Sequence, residues 1–234
     1  MLKGTHILVT GASSGIGRAT TLLLAHEEVN LHLVGRDAGT LGELARQARS
    51  WGAQTHLYTL DLLDDDALRA FARGFTAPLG ALIHSAGVVT LGTLKDADIG
   101  DLDAQYRLNV RAPYLLTQLL LGRLEGAGGQ VVFINSGAGL SARAGWGQYA
   151  ATKHALRAVA DSLRAEMAGT GVRVVSVYPG RTATPMQGSV YEQEGRAYDP
   201  SGLIQPADVA ALVKGALELP PTAAVTDVTV RPAG

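Results

Sequence analysis

The sequence predicts an α/β protein built on a doubly wound, seven-stranded parallel sheet with helices on both faces. Two observations lead there. Short apolar, β-branched runs alternate with longer amphipathic stretches, and those runs lack the polar alternation of a sheet with one wet face. The runs fall at 6–10, 30–34, 55–59, 81–84, 131–135, 172–178 and 225–230. Between them, 18–26, 41–49, 66–75, 102–121, 148–168 and 208–218 carry helical periodicity. A length of 234 residues suits one α/β domain, so a single domain over 1–234 is expected. The longest stretch without clear periodicity, 181–205, is the natural place for a substrate lid.

Composition narrows the function classes. The formal charge is −1 and no segment gathers Lys or Arg, which argues against nucleic acid or another polyanion as partner. Without cysteine, disulfides, thiolate catalysis and thiolate metal sites are excluded, and a reducing cytoplasm fits. The apolar run after His6 is too short for a signal-peptide core or a membrane span, so a soluble chain is expected. The histidines at 6, 26, 32, 56, 84 and 154 lack the i, i+4 ligand spacing of a zinc helix, and no metal is expected.

Right-handed crossovers place a ligand crevice beyond the carboxyl ends of the strands, so the residues after each strand matter most. The first strand ends in Thr10-Gly11-Ala12-Ser13-Ser14-Gly15-Ile16-Gly17 and passes into a helix beginning near Arg18. Such a turn lets the backbone approach a pyrophosphate at a helix N-terminus, where unpaired N–H groups and the helix dipole favour an anion. Glycines abound in this chain. The position between first strand and first helix is what makes this a Rossmann-type phosphate loop. Its spacing, G-x-x-x-G-x-G, resembles that of the short-chain dehydrogenase/reductase family, and the resemblance extends over almost the whole chain.

The resemblance assigns cofactor contacts residue by residue. At the end of strand two, Gly35 stands where NAD-dependent members carry an acid, leaving Arg36 to meet a 2′-phosphate; NADP(H) is the cofactor implied, ahead of NAD(H). The plain alternative for Arg36 is a surface arginine. Asp61 and Leu62, after strand three, match the adenine contact, with a helix-capping aspartate as the plain alternative. After strand four the family's N-N-A-G appears as His84-Ser85-Ala86-Gly87, so Ala86 and Gly87 face the ribose while a serine replaces the bracing asparagine. Pro179 and Gly180, after strand six, match the segment beside the nicotinamide, with Thr182 and Thr184 as candidates for its carboxamide.

Among seven tyrosines, Tyr149 alone has a lysine four residues on, Lys153. The pair opens a predicted helix, where i and i+4 share a face, and Ser136 follows the preceding strand. Ser136, Tyr149 and Lys153 resemble the family's catalytic set, and Asn109, in the long fourth helix, matches its fourth member. The plain readings are a loop cap for Ser136, a satisfied helix amide for Asn109 and a core-edge aromatic for Tyr149.

Proton chemistry explains the residue types. A phenol of ordinary pKa about 10 must be shifted down to exchange a proton near neutrality, and about three units correspond to about 4 kcal/mol. A lysine charge about 4 Å away supplies about 1 kcal/mol in water and about 4 kcal/mol at an effective dielectric near 20, so a partly enclosed site is needed. By resemblance Lys153 also holds ribose hydroxyls, Ser136 bonds the substrate oxygen, and Asn109 positions a water that relays protons towards Lys153.

Trp146, Leu140, Met186, Val190 and Tyr191 could form an apolar substrate wall. Arg143 and Arg181 suit an anionic substrate while Glu192 and Glu194 do not, so the charge signals conflict. The expected activity is reversible hydride transfer between NADP(H) and a small carbonyl or alcohol. A non-catalytic redox sensor would have lost the tyrosine, lysine or serine, and a sugar-nucleotide epimerase is disfavoured by the glycine spacing and short C-terminal region. The resemblance implies a homotetramer or homodimer.

Overall fold

A computed structural model describes residues 2–233. Seven strands, β1 (His6–Thr10), β2 (Asn30–Gly35), β3 (Gln54–Thr59), β4 (Ala81–His84), β5 (Gln130–Ile134), β6 (Arg173–Pro179) and β7 (Asp227–Val230), form one parallel sheet in the order β3-β2-β1-β4-β5-β6-β7. This is the Rossmann-type sheet the sequence predicts. Strand order reverses between β1 and β4, which opens a crevice at their carboxyl ends.

Alternate residues of β1 point to opposite layers. Ile7 and Val9 join a core with Leu31, Leu33, Leu41 and Val213, beneath α1 (Gly15–Ala25), α2 (Ala38–Ser50) and α8 (Pro206–Glu218). Leu8 points the other way, to Leu82, Phe133, Leu116 and Leu156, beneath α3 (Asp65–Gly74), α5 (Ala112–Glu125) and α6 (Gly147–Glu166). Continuous apolar runs follow from burial on both faces. That reading fails at the edges, where residues of β3 and β7 are half-buried or exposed because each lacks one neighbour.

Side-chain caps fix several helix starts: Asp37 accepts from Thr40 N at 2.6 Å, Asp64 from Ala67 N at 3.0 Å, and Thr184 from Gln187 N at 3.2 Å. Three expectations change. The helix at 102–121 is two helices, α4 (Ile99–Tyr106) and α5, joined by a π turn at Arg107–Arg111. The first helix begins at Gly15, not near Arg18, so the last two glycines of the loop lie in its first turn. The stretch 181–205 contains a helix, α7 (Pro185–Gln193), whose scattered polar residues hid its period.

The histidines serve the sheet. His84 Nε2 meets Thr117 Oγ1 at 2.8 Å, and His32 lies between His6 and Tyr58, 2.9 Å from each. Burial pushes both His32 and His84 down to about 3, with the neighbouring His56 and His6 adding to the effect at His32.

Candidate active site

One cavity of about 600 Å³ runs along the carboxyl ends of the strands, with the glycine loop and Ser136, Tyr149 and Lys153 all in its wall. At the loop, Gly11 has φ +63°, and a Cβ there would lie 2.7 Å from Ala86 N. A Cβ on Gly17 would overlap the Gly11 carbonyl, so the glycines let the ends of β1 and β4 and the start of α1 close against one another. Ser14 precedes α1 without a side-chain hydrogen bond to it, which leaves the first-turn N–H groups free for an anion. Ser13, Ser14, Gly15 and Ile16 line the cavity; Gly17 is buried behind them.

Arg36 lines the cavity, is exposed, and has no hydrogen bond or ion pair among the described residues. Asp61 and Leu62 are also in the wall. Asp61 accepts from Leu63 N at 2.9 Å and thereby fixes a turn, while the helix cap expected of it belongs to Asp64. Ala86 and Gly87 are in the wall, and the bracing role left open by Ser85 falls to Thr10. Its hydroxyl accepts from Ser85 N (3.2 Å) and Ala86 N (3.4 Å) and faces Ile83 O at 3.5 Å. Pro179, Gly180, Thr182 and Thr184 complete this wall, Thr182 donating to Gly180 O at 3.1 Å and Thr184 capping α7.

Tyr149 and Lys153 lie on the first turns of α6, with Lys153 Nζ 5.7 Å from the phenol ring centre. Both are buried, and Val89 and Val190 pack against the tyrosine. That enclosure reverses the shift expected from the charge estimate. Burial pushes Tyr149 up to about 12, against a smaller opposing effect of the nearby Ser136 hydroxyl, and burial pulls Lys153 down to about 8. Lys153 Nζ donates to Ile134 O at 3.2 Å, and Ser136 Oγ accepts from Ala138 N at 3.1 Å. Desolvation thus sets the direction of both shifts.

Asn109 does not reach the cavity. From the π turn its side chain clamps Val88, accepting from Val88 N and donating to Val88 O, both at 2.9 Å, and donates to Thr152 Oγ1 at 3.1 Å. It is thus a satisfied amide that ties the Ala86-Gly87-Val88 segment to α6. Asn135 does similar work: Oδ1 accepts from Ser136 N at 2.9 Å and Nδ2 donates to Lys153 O at 3.2 Å. Thr10, Asn135 and Thr152 escaped the sequence reading. Their one signal is a polar residue closing an apolar strand, or the face shared by Tyr149 and Lys153.

Of the expected apolar wall, Trp146, Met186 and Val190 line the cavity; Leu140 and Tyr191 do not. Tyr191, on α7, is buried, with Arg181 and Arg196 each stacked 4.9 Å from its ring.

This fold and site define a nucleotide-dependent oxidoreductase class, and the comparisons with known proteins agree. The family model for short chain dehydrogenase matches residues 5–195, and the chain belongs to that family. A short-chain type dehydrogenase/reductase of Sinorhizobium fredii is 33% identical over 232 residues, covering 97% of this chain and 91% of that one. A short chain dehydrogenase of Salmonella enterica serovar Typhi superposes with TM-score 0.90 at 30% identity, covering 97% and 96% of the two chains. A metagenomic short-chain oxidoreductase in complex with NADP superposes with TM-score 0.84 at 29% identity, over 100% of this chain and 99% of that one.

Proposed function

We propose that this short-chain dehydrogenase interconverts a small carbonyl compound and its alcohol with NADP(H), Tyr149 being the general acid and base. The carrying observation is that one cavity joins a free helix N-terminus behind a glycine loop to Ser136, Tyr149 and Lys153. The nicotinamide, when bound, supplies or accepts hydride. The loop from Gly11 to Gly17 would hold the pyrophosphate, Arg36 a 2′-phosphate, Asp61 and Leu62 the adenine, and Ala86, Gly87, Tyr149 and Lys153 the ribose side. Pro179, Gly180, Thr182 and Thr184 would hold the carboxamide side. The unpartnered Arg36 beside Gly35, together with relatives solved with NADP, supports NADP(H).

Tyr149 Oη gives its proton to the substrate oxygen in reduction and takes one from the alcohol in oxidation. Pushed up to about 12, the phenol is protonated near neutrality, the state that reduction requires. Ser136 Oγ hydrogen-bonds the substrate oxygen as charge develops there. Lys153 stabilises the phenolate left behind, and Asn109, Asn135 and Thr152 act as positioning residues. Self-association as a homotetramer or homodimer is part of this reading; exposed Leu94, Ile99, Tyr106 and Tyr114 supply apolar surface for it.

The test is a screen of ketones, 3-oxoacyl thioesters, 3-hydroxy acids and sugars followed by NADPH absorbance, repeated with Tyr149→Phe. Turnover should fall by about 10³-fold while the NADPH Kd changes little. Undiminished turnover in the variant would overturn the assignment.

A further inference from the structure

Around Arg143 there is more arginine than carboxylate. Arg143 is within electrostatic reach of Arg181, Glu194 and Arg196, and Glu194 is already engaged. Its two oxygens accept from Arg181 Nη2 at 2.7 and 2.8 Å, and Arg196 Nη1 stands 3.4 Å away. Glu192, on α7, is exposed and forms no ion pair among the described residues. The conflict of charges in the sequence therefore resolves in favour of the arginines. Arg143 lines the cavity without a hydrogen bond or ion pair among the described residues, its guanidinium 4.1 Å over the Trp146 ring.

A second donor points to the same kind of ligand. Gln187, on α7, is nine-tenths buried, lines the cavity, and its Nε2 has no partner among the described residues. A buried N–H left dry costs about 1–3 kcal/mol, which a ligand acceptor would remove.

We infer that this cavity holds a subsite for a substrate carboxylate, with Arg143 supplying the charge and Gln187 a second, neutral donor from the cavity wall. The Trp146 ring lies 6.0 Å from that of Tyr149, and Arg143 stacks on Trp146, so the guanidinium is two ring contacts from the phenol. A carboxylate held by Arg143 would lie on the Trp146 side of the phenol. The substrate is then a short oxo acid or hydroxy acid, whose planar anion matches a guanidinium fork. This rests on the carbonyl and alcohol reading above and narrows it.

The experiment compares kcat/KM with NADPH for a panel of 2-, 3- and 4-oxo acids and their methyl esters. Wild type should prefer at least one acid to its ester. Arg143→Met should collapse that acid-to-ester ratio by at least about tenfold, Arg143→Lys should restore part of it, and Gln187→Leu should lower it by about threefold. Binding is read separately in a Trp51→Phe variant saturated with NADP⁺. There, the oxo acid of the preferred pair, which NADP⁺ has no hydride to reduce, should change Trp146 fluorescence and its amide should not. If no acid is preferred to its ester, or the ratio survives in Arg143→Met, the subsite is wrong while carbonyl reduction stands. If no carbonyl compound of either panel consumes NADPH, the oxidoreductase reading falls, and the subsite with it.

Discussion

Lys153 is a buried ammonium with one carbonyl partner, and the fold carries it at a cost. In the unfolded chain it keeps its proton to about 10.5, in the folded chain only to about 8. Between those values the unfolded state binds the extra proton, so this residue makes the ligand-free protein more stable as pH rises from 8 to 10.5. Lys153→Met should therefore stabilise the ligand-free chain, by up to ~3 kcal/mol at or below pH 8, with the gain shrinking towards pH 10.5. Urea melts at pH 7 and pH 9.5 check this; a gain independent of pH would mean that packing, not charge, is responsible. Arg36→Ala should raise the Kd of NADPH by at least about tenfold and that of NADH by much less, since only the 2′-phosphate would lose a charged partner. Fluorescence titration with both nucleotides decides it, equal losses removing the assignment. Tyr149, Lys153 and Ser136 were legible because their spacing survives in one dimension. Thr10 and Asn135 were not, because they hold backbone groups brought near by folding, Ser85 N and Ala86 N for Thr10 and Lys153 O for Asn135. The extent of the tyrosine's burial was not legible, because Val89 and Val190, far apart in sequence, close over it.

At the scale of elements, the glycine loop is a contact between strand ends as much as a turn. Gly17→Ala would drive a methyl into the Gly11 carbonyl and push α1 away from the loop. NADPH affinity should fall by about 100-fold or more, because the first-turn N–H groups would no longer converge. Calorimetric titration measures this, with circular dichroism to confirm that the sheet persists; unchanged affinity would show that the loop tolerates the displacement. Strand and helix order was readable because both faces of the central strands are apolar. The helix at Pro185–Gln193 was not, although its proline start and Thr184 cap are present, since Gln187, Gly188, Ser189 and Glu192 interrupt the apolar period. β3 was read as a buried strand from its β-branched and aromatic residues, and only the sheet order reveals that it is an edge.

For the whole molecule, sheet order places the cavity and the surface suggests the assembly. The exposed apolar residues of α4 and α5 and the segment before them lie outside both large cores and serve no packing purpose within one chain. Sedimentation velocity should return two or four times the chain mass, and Tyr114→Glu should shift the distribution towards the monomer. A monomer for the unmodified chain would overturn the assembly. No helix among the described residues is long and apolar enough to cross a membrane.

The π turn at Arg107–Arg111 has a consequence for how this chain can change. One extra residue wound into a helix rotates everything after it by about 100°, so α4 and α5 answer to different neighbours. Gln105, on one side, bonds Thr90 and Gln148; Leu116, Leu120 and Leu124, on the other, face the sheet. Deleting a residue here would restore regular helical hydrogen bonding, and would also swing Asn109 off Val88 and Thr152. Local repair and loss of the site's brace would then be the same mutation, so selection for a sturdier helix and selection for a working site pull in opposite directions at these five residues.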